Sequence, residues 1–222
     1  MPIPKKKAEE APKSAKVRIY ETMRDWIVDG TLAPGEKILD SEIAKYFSVS
    51  RTPVREAMQL LSDQKLIEIF PGRESRVSAV GNVNIAQIYR ILADLHCLAL
   101  KFAFPKIDSR VIASLREING RFATACAEHD HKKSRALDKE FHDVFVRLAD
   151  NAFLIDFTRT LDAHIVRVEN LYYDKLANKR DSVEEHHRIL EALENQDCQA
   201  ACKAMHANWV HTIEILRASG GA

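Results

Sequence analysis

Apolar residues recur every three or four positions over 17–29, 41–47 and 51–64. The same spacing returns over 85–104, 111–128, 134–149, 153–176, 183–194 and 198–217. This is the period of helices with one buried face. Two short stretches rich in β-branched and aromatic residues, 66–70 and 76–80, flank Pro71-Gly72-Arg73-Glu74-Ser75, and Pro-Gly between such runs predicts a hairpin. The punctuation between helices has a physical reading. Gly30 and Pro34-Gly35 make a turn, Pro105 ends a helix, and Asp108-Ser109, Asp181-Ser182 and Asp197 are expected N-caps. Asp150-Asn151 separates two further helices.

The pattern predicts a mainly α chain in two parts. Residues 1–15, mostly Lys, Pro, Ala and Glu with little to bury, are expected to be a disordered basic tail. Residues 16–80 have the outline of a winged helix-turn-helix, with three helices and a small β-hairpin. Residues 81–84 form a linker, and 85–218 an all-helical bundle of six to seven helices. No apolar run approaches the roughly 18–20 residues of a membrane span, and no apolar segment follows the basic N-terminus. Four cysteines in 222 residues do not make a disulfide framework. The chain is therefore expected to be cytoplasmic.

Charge adds little by itself. Thirty-three Lys and Arg face 32 Asp and Glu, a formal net charge of +1. Any nucleic-acid reading must rest on where the charges sit. The placement that matters is Asp40 to Met58. A short helix, a turn at Ser48-Val49 and a second helix opened by Ser50 or Thr52 follow the helix-turn-helix plan, with Pro53 in the tolerant first turn. Val54, Ala57, Met58 and Leu61 form the buried stripe. Arg51 and Arg55, at i and i+4, share another face. Two arginines at the start of a recognition helix suit a bidentate grip on guanine edges or phosphates. The hydroxyls of Ser50 and Thr52 suit phosphate contacts. The plainer alternative is two solvated arginines paired with Glu56 or Asp63.

Three blocks then align with a known pattern: Ile27…Gly30-Thr31-Leu32-Ala33-Pro34-Gly35-Glu36-Lys37-Ile38, Glu42-Ile43-Ala44, and Val49-Ser50-Arg51-Thr52-Pro53-Val54-Arg55-Glu56-Ala57. Together they closely resemble the GntR family of bacterial transcription regulators. The resemblance implies that Arg51, Thr52 and Arg55 read double-stranded, palindromic operator DNA from the major groove. It places the wing tip, Gly72-Arg73, beside the minor groove. Ser41 stands where family members often carry a DNA-contacting arginine, and the wing lacks the second glycine many members have.

All nine histidines lie at or beyond position 96. Asp138 and His142 are i and i+4 on one helix beside Phe141 and Phe145. His186 shares a stripe with Ile189, Leu190 and Leu193, whereas His187 points about 100° away. In the last helix Ala201, Met205, Asn208, Thr212 and Ile215 form the inward stripe. This half resembles the FCD ligand-binding domain of the FadR-type branch. The carrying features are Asp138-x3-His142, Asp150-Asn151-x2-Leu154, Glu185-His186-x2-Ile189-Leu190-x2-Leu193 and Asp197-x3-Ala201.

The resemblance implies a divalent metal held by an Asp, a His four residues on and two later His. Asp138, His142 and His186 match; the fourth position is Asn208, whose carbonyl oxygen is a weaker ligand. Such a set suits zinc, nickel or manganese with positions left for an effector carboxylate. The opposing reading makes Asp138 and His142 a hydrogen-bonded core pair. Leu92 and His96 replace the Arg and Glu common in the first bundle helix, which weakens the usual acid effector. His96 and Arg167 are the candidate effector contacts.

The expected function is a homodimeric DNA-binding regulator controlled by a small metabolite, and not an enzyme. His129-Asp130 and His142-Asp143 are dipeptides used by metal-dependent phosphohydrolases. The first lies in a polar interhelical stretch and the second lacks a partner set. A third reading is a bundle that only dimerises. Cys198-x3-Cys202 is read as two packed thiols.

Overall fold

The computed structural model describes residues 14–70, 74–80, 85–171 and 180–218. It divides into two compact units, Met1–Val80 and Gly81–Ala222. The first holds α1 (Ala15–Asp29), β1 (Lys37–Ile38), α2 (Asp40–Phe47), α3 (Arg51–Asp63), β2 (Ile67–Glu68) and β3 (Ser75–Val77). Its core is the inward face of each helix. Ile19, Met23 and Ile27 of α1 meet Val54, Ala57, Met58 and Leu61 of α3, all buried. Gly30 ends α1 in the left-handed conformation, φ 87°, which a side chain would strain.

The wing has one strand more than the expected hairpin. The antiparallel order is β1-β3-β2, with Lys37 opposite Arg76 and Ile67 opposite Val77. Two residues show no alternation, so β1 was invisible as a pattern; only the pairing defines it. Ile38, Ile67 and Val77 carry the sheet's buried side. Ser78 belongs to this unit as well, because its hydroxyl donates to the carbonyls of Lys65 and Leu66 at 2.7 and 3.0 Å.

The second unit contains α4 (Ile85–Ala103), a 3-10 turn (Phe104–Lys106), α5 (Ser109–Ala127), α6 (His131–Ala149), α7 (Ala152–Leu171), α8 (Arg180–Glu194) and α9 (Cys198–Ala218). Side-chain caps start most of them. Asp108 accepts from the amides of Arg110 and Val111, Asp130 from Lys133, Asn151 from Leu154 and Asp197 from Ala200. One expected cap differs: α8 starts at Arg180, so Asp181 lies inside its first turn, where its charge suits the helix dipole. The stretch 172–176, read as the end of α7's helix, lies outside the described residues. Helix α4 packs against α6, α7 and α9, and α8 against α5 and α9, around Leu100, Leu115, Phe122, Phe141, Phe145, Ile189, Leu190 and Met205.

Candidate functional site

In the first unit Ser50 is the N-cap residue of α3, although its hydroxyl makes no capping bond. Arg51 opens the helix and Arg55 lies one turn on; their side chains are 56% and 65% exposed. Ser41, Ser50 and Thr52 are exposed too. Neither arginine takes the partner expected for a mere surface charge. Arg51 Nη2 donates to Asp40 Oδ1 at 2.6 Å, and Arg55 Nε donates to Asp40 Oδ2 at 2.7 Å. Asp63 instead accepts from Gln59 Nε2 at 3.0 Å. Burial raises the Asp40 carboxyl pKa, but the bonds and charges of Arg51 and Arg55 outweigh it and hold the pKa below the usual carboxylate value. In the wing, Glu74 pairs with both Lys37 and Arg76. Gly72 and Arg73 lie outside the described residues.

Asp40 was missed by the sequence reading. No helical spacing links it to residues 11 and 15 positions away. Only the fold of α2 against α3 brings them together.

In the second unit five helices surround one cavity of about 70 Å³. That is room for roughly five waters at about 10–15 Å³ each, so it fits a small molecule. Helix α6 supplies Arg135, Asp138, Lys139 and His142, and α4 supplies Tyr89 and His96. Asp162, Ile165, Val166 and Glu169 come from α7; Asn208, Trp209, Thr212 and Ile215 come from α9. Asp138, His142 and His186 converge, their ligand atoms lying within 4.8 Å of one another.

His186 is held in a defined state. Its ring stacks on Phe141 with centroids 3.9 Å apart and an interplanar angle of 9°. Asn119 Nδ2 donates to the Val183 carbonyl at 3.2 Å, which turns its Oδ1 toward His186 Nδ1 at 3.0 Å. Nδ1 therefore carries a proton, and Nε2 faces Asp138 Oδ1 at 3.5 Å. This is the orientation a metal-ligating imidazole needs. Asn208 is buried on the cavity wall, and its Nδ2 donates to Glu185 Oε2 at 2.8 Å. That bond commits the amide nitrogen and leaves the carbonyl oxygen as the group with donor capacity for a cation. The donor set of one carboxylate, two imidazoles and an amide oxygen fits a divalent transition metal.

His96 lines the cavity and is fully buried, stacked on Trp209 with centroids 4.7 Å apart. Burial, then the nearby charges of His142 and Lys139, push its pKa well down, so it is neutral. Tyr89 Oη, His96 Nδ1 and Trp209 Nε1 are buried without a hydrogen-bond partner among the described residues. All three residues line the cavity.

Arg167 departs from expectation. It is buried, but it is absent from the cavity wall. Residues 162, 165, 166 and 169 set the cavity face of α7, and position 167 is turned about 100° from 166. The wall cations are Arg135, paired with Glu169 at 3.8 Å, and Lys139, paired with Asp143 and Asp162 at 2.9 and 2.6 Å. A signal for them existed: Arg135, Asp138, Lys139 and His142 fall at i, i+3, i+4 and i+7 of one helix. Elsewhere in the bundle, burial followed by Asp94 raises the Cys97 thiol to about 11. Burial, then Cys198 and Cys97, raises Cys202 to about 12. Such thiols are poor nucleophiles.

Comparison with known proteins fits both units. Residues 15–77 match the model of the bacterial regulatory proteins of the gntR family, and residues 87–210 match the FCD domain. The chain belongs to the GntR family. It is a DNA-binding transcriptional regulator with a helix-turn-helix unit followed by an FCD domain.

This GntR regulator is 28% identical to the HTH-type transcriptional repressor RspR of Escherichia coli, over 90% of this chain and 88% of that one. It is 27% identical to the HTH-type transcriptional regulator YdhC of Bacillus subtilis, over 90% of each chain. The fold matches the solved structure of E. coli McbR/YncC with a TM-score of 0.75 at 21% identity, covering 94% of this chain and all of that one. These relatives are transcriptional regulators, not enzymes. No helix among the described residues is long and apolar enough to cross a membrane.

Proposed function

We propose that this GntR regulator is a cytoplasmic homodimer that binds a palindromic operator and whose affinity is set by a small metabolite in the FCD cavity, through a divalent metal. The observation that carries the reading is the convergence of the ligand atoms of Asp138, His142 and His186, of which Asp138 and His142 line the cavity. Asp138, His142 and His186 would hold zinc, nickel or manganese, and the carbonyl of Asn208 would be the fourth ligand. The metal supplies a Lewis-acidic centre for an oxygen ligand such as a carboxylate. Asn119 fixes the tautomer of His186, and Tyr89, His96 and Trp209 offer polar atoms to the effector. Arg51, Thr52 and Arg55 read the base edges in the major groove, Ser41 and Ser50 take the backbone, and Gly72-Arg73 the minor groove. Binding by the effector would favour one placement of the paired DNA-binding units over another, and its influence is bounded by its differential affinity for the two.

The test is elemental analysis of untagged protein beside an Asp138→Ala variant. The expected result is about one zinc, nickel or manganese per chain in the parent and loss of it in the variant. Metal-free parent protein would overturn the metal and leave Asp138, His142 and His186 as core groups.

A further inference from the structure

We propose that Asp40 is the positioning residue of the operator contact, holding Arg51 and Arg55 side by side for base edges and withholding them from phosphates. The inference rests on the reading of Arg51 and Arg55 as operator contacts. One carboxylate is shared by both guanidinium groups, one oxygen each, at 2.6 and 2.7 Å. The carboxylate is 18% exposed while the arginine side chains are 56% and 65% exposed, so the acid lies beneath and the cations face outward. Arg55 spends only its Nε, so both of its terminal Nη groups remain for the O6 and N7 of a guanine. Arg51 spends one hydrogen of Nη2 and keeps the rest.

The arrangement has two consequences. An exposed arginine otherwise samples many rotamers, and each must be ordered on binding; here the ordering is done by the fold before DNA arrives. In addition, a carboxylate under two arginines reduces the local charge from two to one. Non-specific attraction to DNA scales with the number of phosphates neutralised, so it is weakened, while the geometric match to guanine is kept. The wing repeats the device, with Glu74 between Lys37 and Arg76. Acids spent in this way explain how a DNA-binding unit can carry so little net charge.

The test is selection of a pool of randomised duplex DNA by the full-length protein, followed by sequencing. Affinity for one selected and one scrambled duplex is then measured across a salt series. The variants are Asp40→Asn, Asp40→Glu, Glu42→Gln and Arg55→Ala. Glu42 is exposed on the same turn of α2, so its variant removes an equal charge at a different position. For Asp40→Asn, the preference at the arginine-read bases flattens and the ratio of specific to scrambled affinity falls about tenfold. Binding to scrambled DNA strengthens, and its salt slope steepens by about 1–2 as the arginines reach phosphates. Asp40→Glu restores much of the preference and Glu42→Gln behaves as the parent.

Parent-like base preference and salt slope in Asp40→Asn overturn the proposal, as does an equal effect of Glu42→Gln. Should Asn at this position unfold the unit by circular dichroism, Asp40→Ser replaces it with the same expected and overturning results. Arg55→Ala separates the two readings. If it keeps the parent's preference, the operator role of the arginine fails; if it is defective beside a parent-like Asp40→Asn, only the role of Asp40 fails.

Discussion

At the scale of single residues, the informative feature is how far function depends on groups that touch no ligand. Asn119 lies 67 residues from His186, yet its carbonyl oxygen decides which imidazole nitrogen carries a proton. Replacing it with Leu removes the acceptor while keeping an apolar wall, so His186 loses its fixed tautomer. Metal affinity, measured by competition with a chromophoric chelator, should fall about 10–100-fold, the usual effect of losing such a partner. Unchanged affinity would mean that Phe141 stacking alone orients the ring. The sequence showed Asp138, His142 and His186 because helical spacing and family pattern both pointed to them. It could not show Asn119, because an Asn inside a helix has no signature until its neighbours are known.

At the scale of elements, four helices end in the same way without the residue that suits the ending. Ser48, Lys65, His129 and Gln196 have φ of 54°, 61°, 56° and 55°. Each donates its amide to the carbonyl three residues back, and the next residue donates to the carbonyl five back, as in Ser48 to Lys45 and Val49 to Ala44. This double bond pattern favours glycine, because a Cβ crowds the backbone in the left-handed region. Gln196 is exposed. Gln196→Gly should therefore raise stability by about 0.5–1 kcal/mol in urea denaturation, the relief of strain exceeding the entropy glycine adds to the unfolded chain. A loss of stability would show that the glutamine side chain contributes more than its strain costs. These endings were legible only in part: polar residues such as Asp150-Asn151 marked the breaks, but nothing in the sequence marked a non-glycine residue as left-handed.

At the scale of the whole molecule, the second unit leaves an apolar stripe on α4. Ile91, Leu98 and Phe102 are 50%, 40% and 45% exposed and fall at i, i+7 and i+11. An outward stripe on a helix already packed against α6, α7 and α9 is a natural seat for a second copy. For the proposed homodimer, a double variant, Ile91→Asp with Phe102→Asp, should shift the mass in light scattering from two chains to one, since it would bury two carboxylates in each half of the contact. Because the proposed dimer would multiply affinity over two half-sites, the same variant should bind its operator more weakly without altered base preference. A dimer that survives both substitutions would place the interface on another face.

What the sequence determined by itself was the local and periodic part. Helix positions, the buried faces of α1 and α3, the caps at Asp108 and Asp197, and the placing of Asp138 and His142 on one face of α6 all follow from residues a few positions apart. Backbone geometry fixes those relations before any tertiary contact forms. The tertiary structure decided the rest, which joins residues without regular spacing. It added β1 to the wing, tied both Arg51 and Arg55 to Asp40, set Asn119 behind His186, and bonded Asn208 to Glu185. It also turned Arg167 away from the cavity and put Arg135 and Lys139 at its wall. Those relations depend on which faces of different helices meet, and burial of the whole apolar surface selects them, not any short segment.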